Sequence, residues 1–168
     1  MSKTVLIAYA SKYGATTEIA EKIGEVLRQG GLTAEVNAAD KVKELSPFQA
    51  VILGSAVYVG RWRKQAVKFL QANEKALAEK PVWIFSSGPS GEGDPVELLK
   101  GWRIPEKIQP IVDRIQPRDV VVFHGNVDTG KLNFIERRMM KMVEAQTGDF
   151  RDWEAIQAWA KSIAEGLG

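Results

Sequence analysis

Val5-Leu6-Ile7-Ala8-Tyr9-Ala10-Ser11-Lys12-Tyr13-Gly14-Ala15-Thr16-Thr17 changes character partway along. Its first five residues are an unbroken apolar run, the pattern of a parallel strand covered on both faces. The following stretch is rich in small and hydroxyl-bearing residues and holds one glycine. From Thr17 a helical repeat begins, with Ile19, Ile23, Val26 and Leu27 on one face. Gly30-Gly31 stops that helix through a left-handed cap. A buried strand that hands over to a helix start leaves backbone N–H groups aimed at the junction, where the helix dipole favours an anion. Ser11, Thr16 and Thr17 add hydroxyl donors, and Gly14 lets the main chain approach a phosphate closely. The loop has neither the Gly-Lys-Ser/Thr ending of a nucleotide P-loop nor the GxGxxG dinucleotide spacing. Helix capping alone does not need so many hydroxyls plus a glycine, so phosphate binding is the stronger reading.

Downstream, strands and helices alternate. Thr33 to Ala38 reads as a second strand, and Asp40 to Leu45 as a short helical or turn segment closed by Ser46-Pro47. Ala50 to Gly54 is a third strand, followed by a loop from Ser55 to Arg61. A helix is expected from about Trp62 to Leu77, with Ala66, Phe69, Leu70, Asn73 and Leu77 on one face. Pro81 to Phe85 is a fourth strand and Ser86 to Pro95 a Gly/Ser/Pro loop. A weaker helix, interrupted by Pro110, covers Glu106 to Ile115, and Val120 to Phe123 is the fifth strand. The remainder carries two helical patterns, one around 131–143 and one starting at Asp152 as N-cap. This rhythm predicts one α/β domain over 1–168, a doubly wound five-stranded parallel sheet in the order 2-1-3-4-5. Ligands of such sheets bind at the carboxyl ends of the strands, at the switch point between the first and third. That singles out the loops at 11–17, 55–61 and 86–94.

Bulk properties remove several functions. The 168 residues contain no cysteine and one histidine, which excludes disulfides, Fe–S clusters and thiolate metal sites and argues against zinc; no metal is expected. A formal net charge of +2 is too mild for nucleic-acid binding. No apolar run approaches the ~20 residues needed to span a bilayer, and the N-terminus enters a strand rather than a signal sequence. A cytoplasmic location is the expectation.

The 9–17 segment resembles the phosphate loop of flavodoxins, and the resemblance extends over nearly the whole chain. It is closest to the menaquinone-linked, flavodoxin-like protoporphyrinogen dehydrogenases. Gly54-Ser55-Ala56-Val57-Tyr58-Val59-Gly60, the basic Arg137-Arg138-Met139-Met140-Lys141-Met142 and the Asp152-Trp153-Glu154 helix start carry that closer likeness. The resemblance implies a three-layer flavodoxin-like sandwich and FMN as a non-covalent cofactor. It places the FMN phosphate on Ser11, Lys12, Gly14, Ala15, Thr16 and Thr17, with Tyr13 in the same loop. The isoalloxazine would lie between Ala56, Val57, Tyr58, Val59, Gly60 and Trp62 on one side and backbone groups of Ser87 and Gly88 on the other. Many electron-carrier flavodoxins stack an aromatic ring from the third loop on the flavin; Ser86-Ser87-Gly88-Pro89-Ser90-Gly91 offers none.

Two functions follow from this resemblance. One is an FMN-dependent oxidoreductase acting on protoporphyrinogen or a similar organic substrate, with a quinone-type acceptor. The other is an electron carrier without its own substrate, meeting a redox protein; strong acidity would favour it and is absent. A phosphate-switched receiver is excluded, because Ala8-Tyr9-Ala10 and Leu53-Gly54-Ser55 supply no carboxylate cluster. His124 ends the fifth strand on the functional edge, where a hydrogen-bonded structural role outweighs proton donation. The basic 131–141 segment reads either as a core-facing helix with a solvated basic face or as a peripheral contact with the inner face of a membrane, and the first reading outweighs the second. No side chain stands out as an acid or base, and the oligomeric state is not encoded in any feature of the chain.

Overall fold

The computed structural model describes residues 3–58, 60–88, 94–99, 101, 103–127, 134–135, 138 and 148–167. Val59, Gly91-Glu92-Gly93 and most of the 131–141 segment lie outside the described residues. The elements are β1 (Thr4–Ala10), α1 (Ala15–Gln29), β2 (Thr33–Ala38), β3 (Ala50–Tyr58), β4 (Arg61–Trp62), α2 (Lys64–Ala78), β5 (Val82–Ser87), α3 (Pro95–Leu98), α4 (Gln109–Ile115), β6 (Asp119–Phe123), β7 (Asn126–Val127), β8 (Gly148–Asp149) and α5 (Trp153–Leu167). The five long strands pair in the order β2-β1-β3-β5-β6, every pair parallel. Counted among themselves they give the expected 2-1-3-4-5.

Alternation along each strand divides the core in two. Val5, Ile7, Ile52 and Phe85 pack with Ile19, Ile23 and Leu27 of α1 and with Ile156, Trp159 and Ile163 of α5. Leu6, Ala8, Leu53 and Ile84 pack with Phe69, Leu70 and Leu77 of α2 and with Val112 and Ile115 of α4. Because Val5 through Ala8 are fully buried, β1 is apolar on both faces and reads as a continuous run. In the first of these layers Phe85 meets Phe123 at 5.8 Å and Trp159 at 6.1 Å between ring centroids. Gly54 lies opposite Phe85 in register, and a Cβ there would fall 2.0 Å from the Phe85 ring.

Several boundaries differ from the sequence reading. The stretch read as a loop after Gly54 continues as strand to Tyr58 and folds back as a hairpin, with Val57 opposite Trp62 and Tyr58 opposite Arg61. Branched and aromatic side chains at these positions favour the strand, and Gly60 supplies the turn. Trp62 thus belongs to β4, and α2 starts two residues later at Lys64. Asn73 is half-buried, its amide donating to the Phe69 carbonyl at 2.9 Å. Ser86 and Ser87 complete β5 instead of opening a loop. Pro110 sits in the first turn of α4, where its missing N–H costs nothing, after a 3-10 turn at Glu106–Ile108. The antiparallel β7–β8 pair carries no clear sequence signal. Asp152 caps α5 as expected, accepting from the Ala155 N–H at 3.1 Å.

Gly54→Ala is expected to destabilise the fold by about 1–3 kcal/mol, because the added methyl must displace the Phe85 ring from a packed aromatic cluster. Urea denaturation of the two proteins checks this, and equal midpoints would show that the ring relaxes without cost.

Candidate cofactor site

The carboxyl ends of β1, β3 and β5 align in register: Ala10 beside Ser55, Ser55 beside Ser86, and Ala56 beside Ser87. The parallel ladder ends at these points, with β3 continuing to Tyr58 against β4, so the three segments singled out from sequence meet on one edge.

The first segment turns from β1 into α1 at Gly14, which holds φ 94°. That left-handed conformation is strained for a residue with a side chain, and no atom lies within 4 Å of where a Cβ would stand. Ser11 Oγ accepts from the Gly14 N–H at 2.9 Å and so closes the turn. No side chain caps α1. The first helical bond runs from the Glu18 N–H to the Gly14 carbonyl at 3.2 Å, so the N–H groups of Ala15, Thr16 and Thr17 have no helical acceptor. An open glycine corner, uncapped amides and the positive end of a 15-residue helix fit a phosphate dianion.

The hydroxyl of Thr16 has a partner within the protein. Thr16 is buried and its Oγ1 lies 2.8 Å from Oγ of buried Ser87. This bond joins the turn between β1 and α1 to the end of β5. Thr17 is half-buried at the rim.

The second segment is the β3–β4 hairpin. Ala56, Val57 and Tyr58 are half-buried and Gly60 is exposed. The Lys12 ammonium sits 3.6 Å from the Tyr58 ring centroid and 5.2 Å from that of Tyr13, linking the first segment to the second. Trp62, expected at the flavin wall, is instead part of the core, and its indole N–H donates to Ser86 Oγ at 2.8 Å. Ser86 in turn donates to the Arg103 carbonyl at 2.7 Å, so one buried hydroxyl ties the hairpin to the chain returning from the third segment. Ser55 plays a similar part, accepting from the Arg63 N–H at 3.0 Å. Arg63 Nε is the one buried side-chain polar atom without a partner among the described residues.

In the third segment Gly88 donates to the Phe123 carbonyl at 3.3 Å and has φ 151°. A Cβ there would lie 2.8 Å from the Val57 carbonyl oxygen, so a glycine lets the segment settle against β3. Asp94 caps the short α3, accepting from the Val96 N–H at 2.8 Å. His124, next to this edge, is half-buried.

Sequence reading missed Arg151. Its guanidinium donates to Asp149 at 2.8 and 2.9 Å, to Glu18 at 3.1 Å and to the Ala15 carbonyl at 3.4 Å. With a side chain only 6% exposed, it fastens the β7–β8 pair to the first turn of α1. The hydrogen bonds from Arg151 hold the Asp149 carboxyl below its usual range. No local motif announces this bridge, which spans more than a hundred residues of chain.

The parallel sheet in this strand order, with an uncapped helix start at its edge, defines a flavodoxin-like α/β protein. The family described as Flavodoxin domain matches residues 6–154, and the chain belongs to that family. Protoporphyrinogen IX dehydrogenase (quinone) of Escherichia coli strain K12 is 22% identical over 180 aligned positions, covering 95% of this chain and 93% of that protein. Among solved structures, oxidised flavodoxin 1 from Bacillus cereus superposes with a TM-score of 0.63 at 17% identity, covering 98% of this chain and 99% of that one. Rubredoxin oxygen:oxidoreductase from Desulfovibrio gigas gives a TM-score of 0.64 at 19% identity, covering 98% of this chain but 36% of that larger one. The structural likenesses establish the fold, and family membership makes FMN the cofactor. Among the described residues no group of His, Cys, Asp or Glu could hold a metal ion.

Because the folded state depresses the Asp149 pKa, its ion pair stabilises the protein fully above the unfolded carboxylate value of about 3.9. That contribution disappears as pH falls through the folded-state value. Asp149→Asn is therefore expected to lower the urea midpoint at about pH 6 and to narrow its difference from wild type near about pH 2. A difference independent of pH would show that the pair contributes nothing electrostatic.

Proposed function

We propose that the protein is an FMN-dependent oxidoreductase that takes electrons from an organic substrate of the protoporphyrinogen type and passes them to a quinone-type acceptor. The observation that carries this reading is the match to a quinone-linked dehydrogenase along 95% of the chain. Bound FMN supplies a ring that accepts electrons from one partner and returns them to another. The protein's part is to position it. The amides of Ala15, Thr16 and Thr17, with the hydroxyls of Ser11 and Thr17, hold the phosphate, and Tyr13 and Lys12 close the turn beside it. Val57 and Tyr58 form one wall with Ala56 and Gly60, and backbone groups of Ser87 and Gly88 form the other. A third segment without an aromatic residue between Ser86 and Gly91 leaves one face of the ring open to a substrate.

The carrier reading draws on the flavodoxin fold alone and lacks the acidity that would steer such a protein to basic partners. Location follows the same logic. No helix among the described residues is long and apolar enough to cross a membrane. Phe134 and Ile135 are nonetheless 75% and 68% exposed, close in sequence to exposed Arg138 and to Lys131, Arg137 and Lys141. A cytoplasmic protein with this patch suits peripheral contact with an anionic bilayer, where a quinone resides.

Titration of the purified protein with FMN, followed by absorbance near ~450 nm, is expected to show binding at micromolar concentration or tighter, about 8 kcal/mol. Gly14→Val, which forces a branched residue into a left-handed turn, should weaken binding at least about tenfold. Protoporphyrinogen oxidation that depends on an added quinone supports the enzyme. Reduction by a flavodoxin reductase with no such turnover identifies a carrier.

Phe134→Ser with Ile135→Ser should reduce co-sedimentation with anionic vesicles severalfold while leaving FMN affinity unchanged. Equal sedimentation of variant and wild type would remove the membrane contact.

A further inference from the structure

Residues 9–17 and 55–65 contain Lys12, Arg61, Arg63 and Lys64 and no carboxylate. The first turn of α2 likewise carries no acid, although a helix N-terminus favours one. Glu18, the first acid after the phosphate turn, is paired with Arg151 at 3.1 Å. The edge that receives the cofactor is therefore cationic on the sides of the first two segments. Within it, Lys12 is held at a defined place: its ammonium lies 3.6 Å from the Tyr58 ring centroid, well inside cation–π range. Tyr58 belongs to the hairpin wall, not to the phosphate turn. A lysine drawn toward that wall has its charge beside the ring of the cofactor as well as beside its phosphate.

We infer that Lys12 sets the redox equilibrium of the bound flavin by stabilising the reduced ring, with Tyr58 holding the ammonium in place. This rests on the ring position proposed above. Two electrons and one proton added to the oxidised ring leave it with one extra negative charge; the proton stays on the ring and Lys12 keeps its own. A cation that acts only on the phosphate binds both redox forms equally and cannot move the equilibrium between them. A cation near the ring attracts the reduced form more strongly and raises its midpoint potential. A higher midpoint suits a flavin that takes electrons from an organic substrate, whereas a low-potential carrier would require acidic surroundings. Lys12 is a positioning and electrostatic residue in this account and exchanges no proton.

The test compares wild type, Lys12→Met and Lys12→Arg. Affinities for FMN and for riboflavin, which lacks the phosphate, are measured in the oxidised state, and midpoint potentials by equilibration with reference dyes. Lys12→Met is expected to weaken reduced relative to oxidised FMN about tenfold, a fall of about 30 mV for a two-electron couple. Lys12→Arg, which keeps the charge, should stay near the wild-type midpoint. An unchanged midpoint in Lys12→Met overturns the inference: with FMN affinity lost and riboflavin affinity kept, Lys12 is a phosphate ligand only, and with both affinities kept it lies outside the site. If wild type binds neither FMN nor riboflavin, the cofactor placement itself fails, an outcome distinct from these.

Discussion

The amide groups that open α1 have no partner inside the helix, and the rest of the molecule is arranged around that fact. Four N–H groups at a helix start must find an acceptor or remain in water. Here the chain declines the usual solution, a capping side chain, and places Gly14 with φ 94° at the corner instead. The amides are left at the carboxyl edge of β1, facing the space above the sheet. Parallel pairing of β1 with β3 and β3 with β5 brings two further loops to the same edge. A phosphate that meets the amides thus brings whatever it is attached to against those loops.

Holding that edge in shape falls to a layer of serines and threonines beneath it. Thr16 with Ser87 joins the phosphate turn to β5, Ser86 joins Trp62 to Arg103, and Ser55 receives the start of α2. All four hydroxyls are buried, Ser86 and Ser87 in the last two residues of β5, Ser55 beside Ser86 in β3, and Thr16 in the first turn of α1. A hydroxyl can donate and accept at once, so one residue satisfies two departing segments. An unsatisfied buried group would cost about 1–3 kcal/mol at each position. Rigidity at the rim therefore comes from short polar bridges, and the apolar layers below set only the height of the edge.

Legibility in the sequence followed the range of the interaction. Continuous apolar runs at Val5–Tyr9 and Ala50–Gly54 revealed buried parallel strands, and the order of the five long strands follows from them. The phosphate turn was legible because its chemistry is local: strand, hydroxyls, glycine and helix lie within thirteen residues. The roles inside the turn were not. Thr16 and Thr17 look alike in sequence, yet helical geometry buries the first against Ser87 and leaves the second at the rim. Trp62 looked like a cofactor wall because it sits in the second segment, but strand pairing with Val57 turns its ring into the core. Arg151 was illegible altogether, since its partners Glu18 and Ala15 are distant in the chain.

Antiparallel pairing of β3 with β4 gives the second segment a regular backbone. A loop of loose backbone could adapt to a partner protein; pairing with β4 holds Val57 and Tyr58 in extended strand at the end of β3. Gly88 then settles against the Val57 backbone, so the two walls are spaced by main-chain contact and not by side chains that could repack. A flat ring seated between these walls, as proposed above, would meet no aromatic side chain from 86–91. Cations on the first two segments favour a partner or a reduced ring that bears negative charge. The same scaffold with acidic loops and an aromatic lid would instead shield the ring and steer toward basic proteins. Specialisation on this sheet lies in the charge and cover of three short segments, while the amides of α1 remain common to both designs.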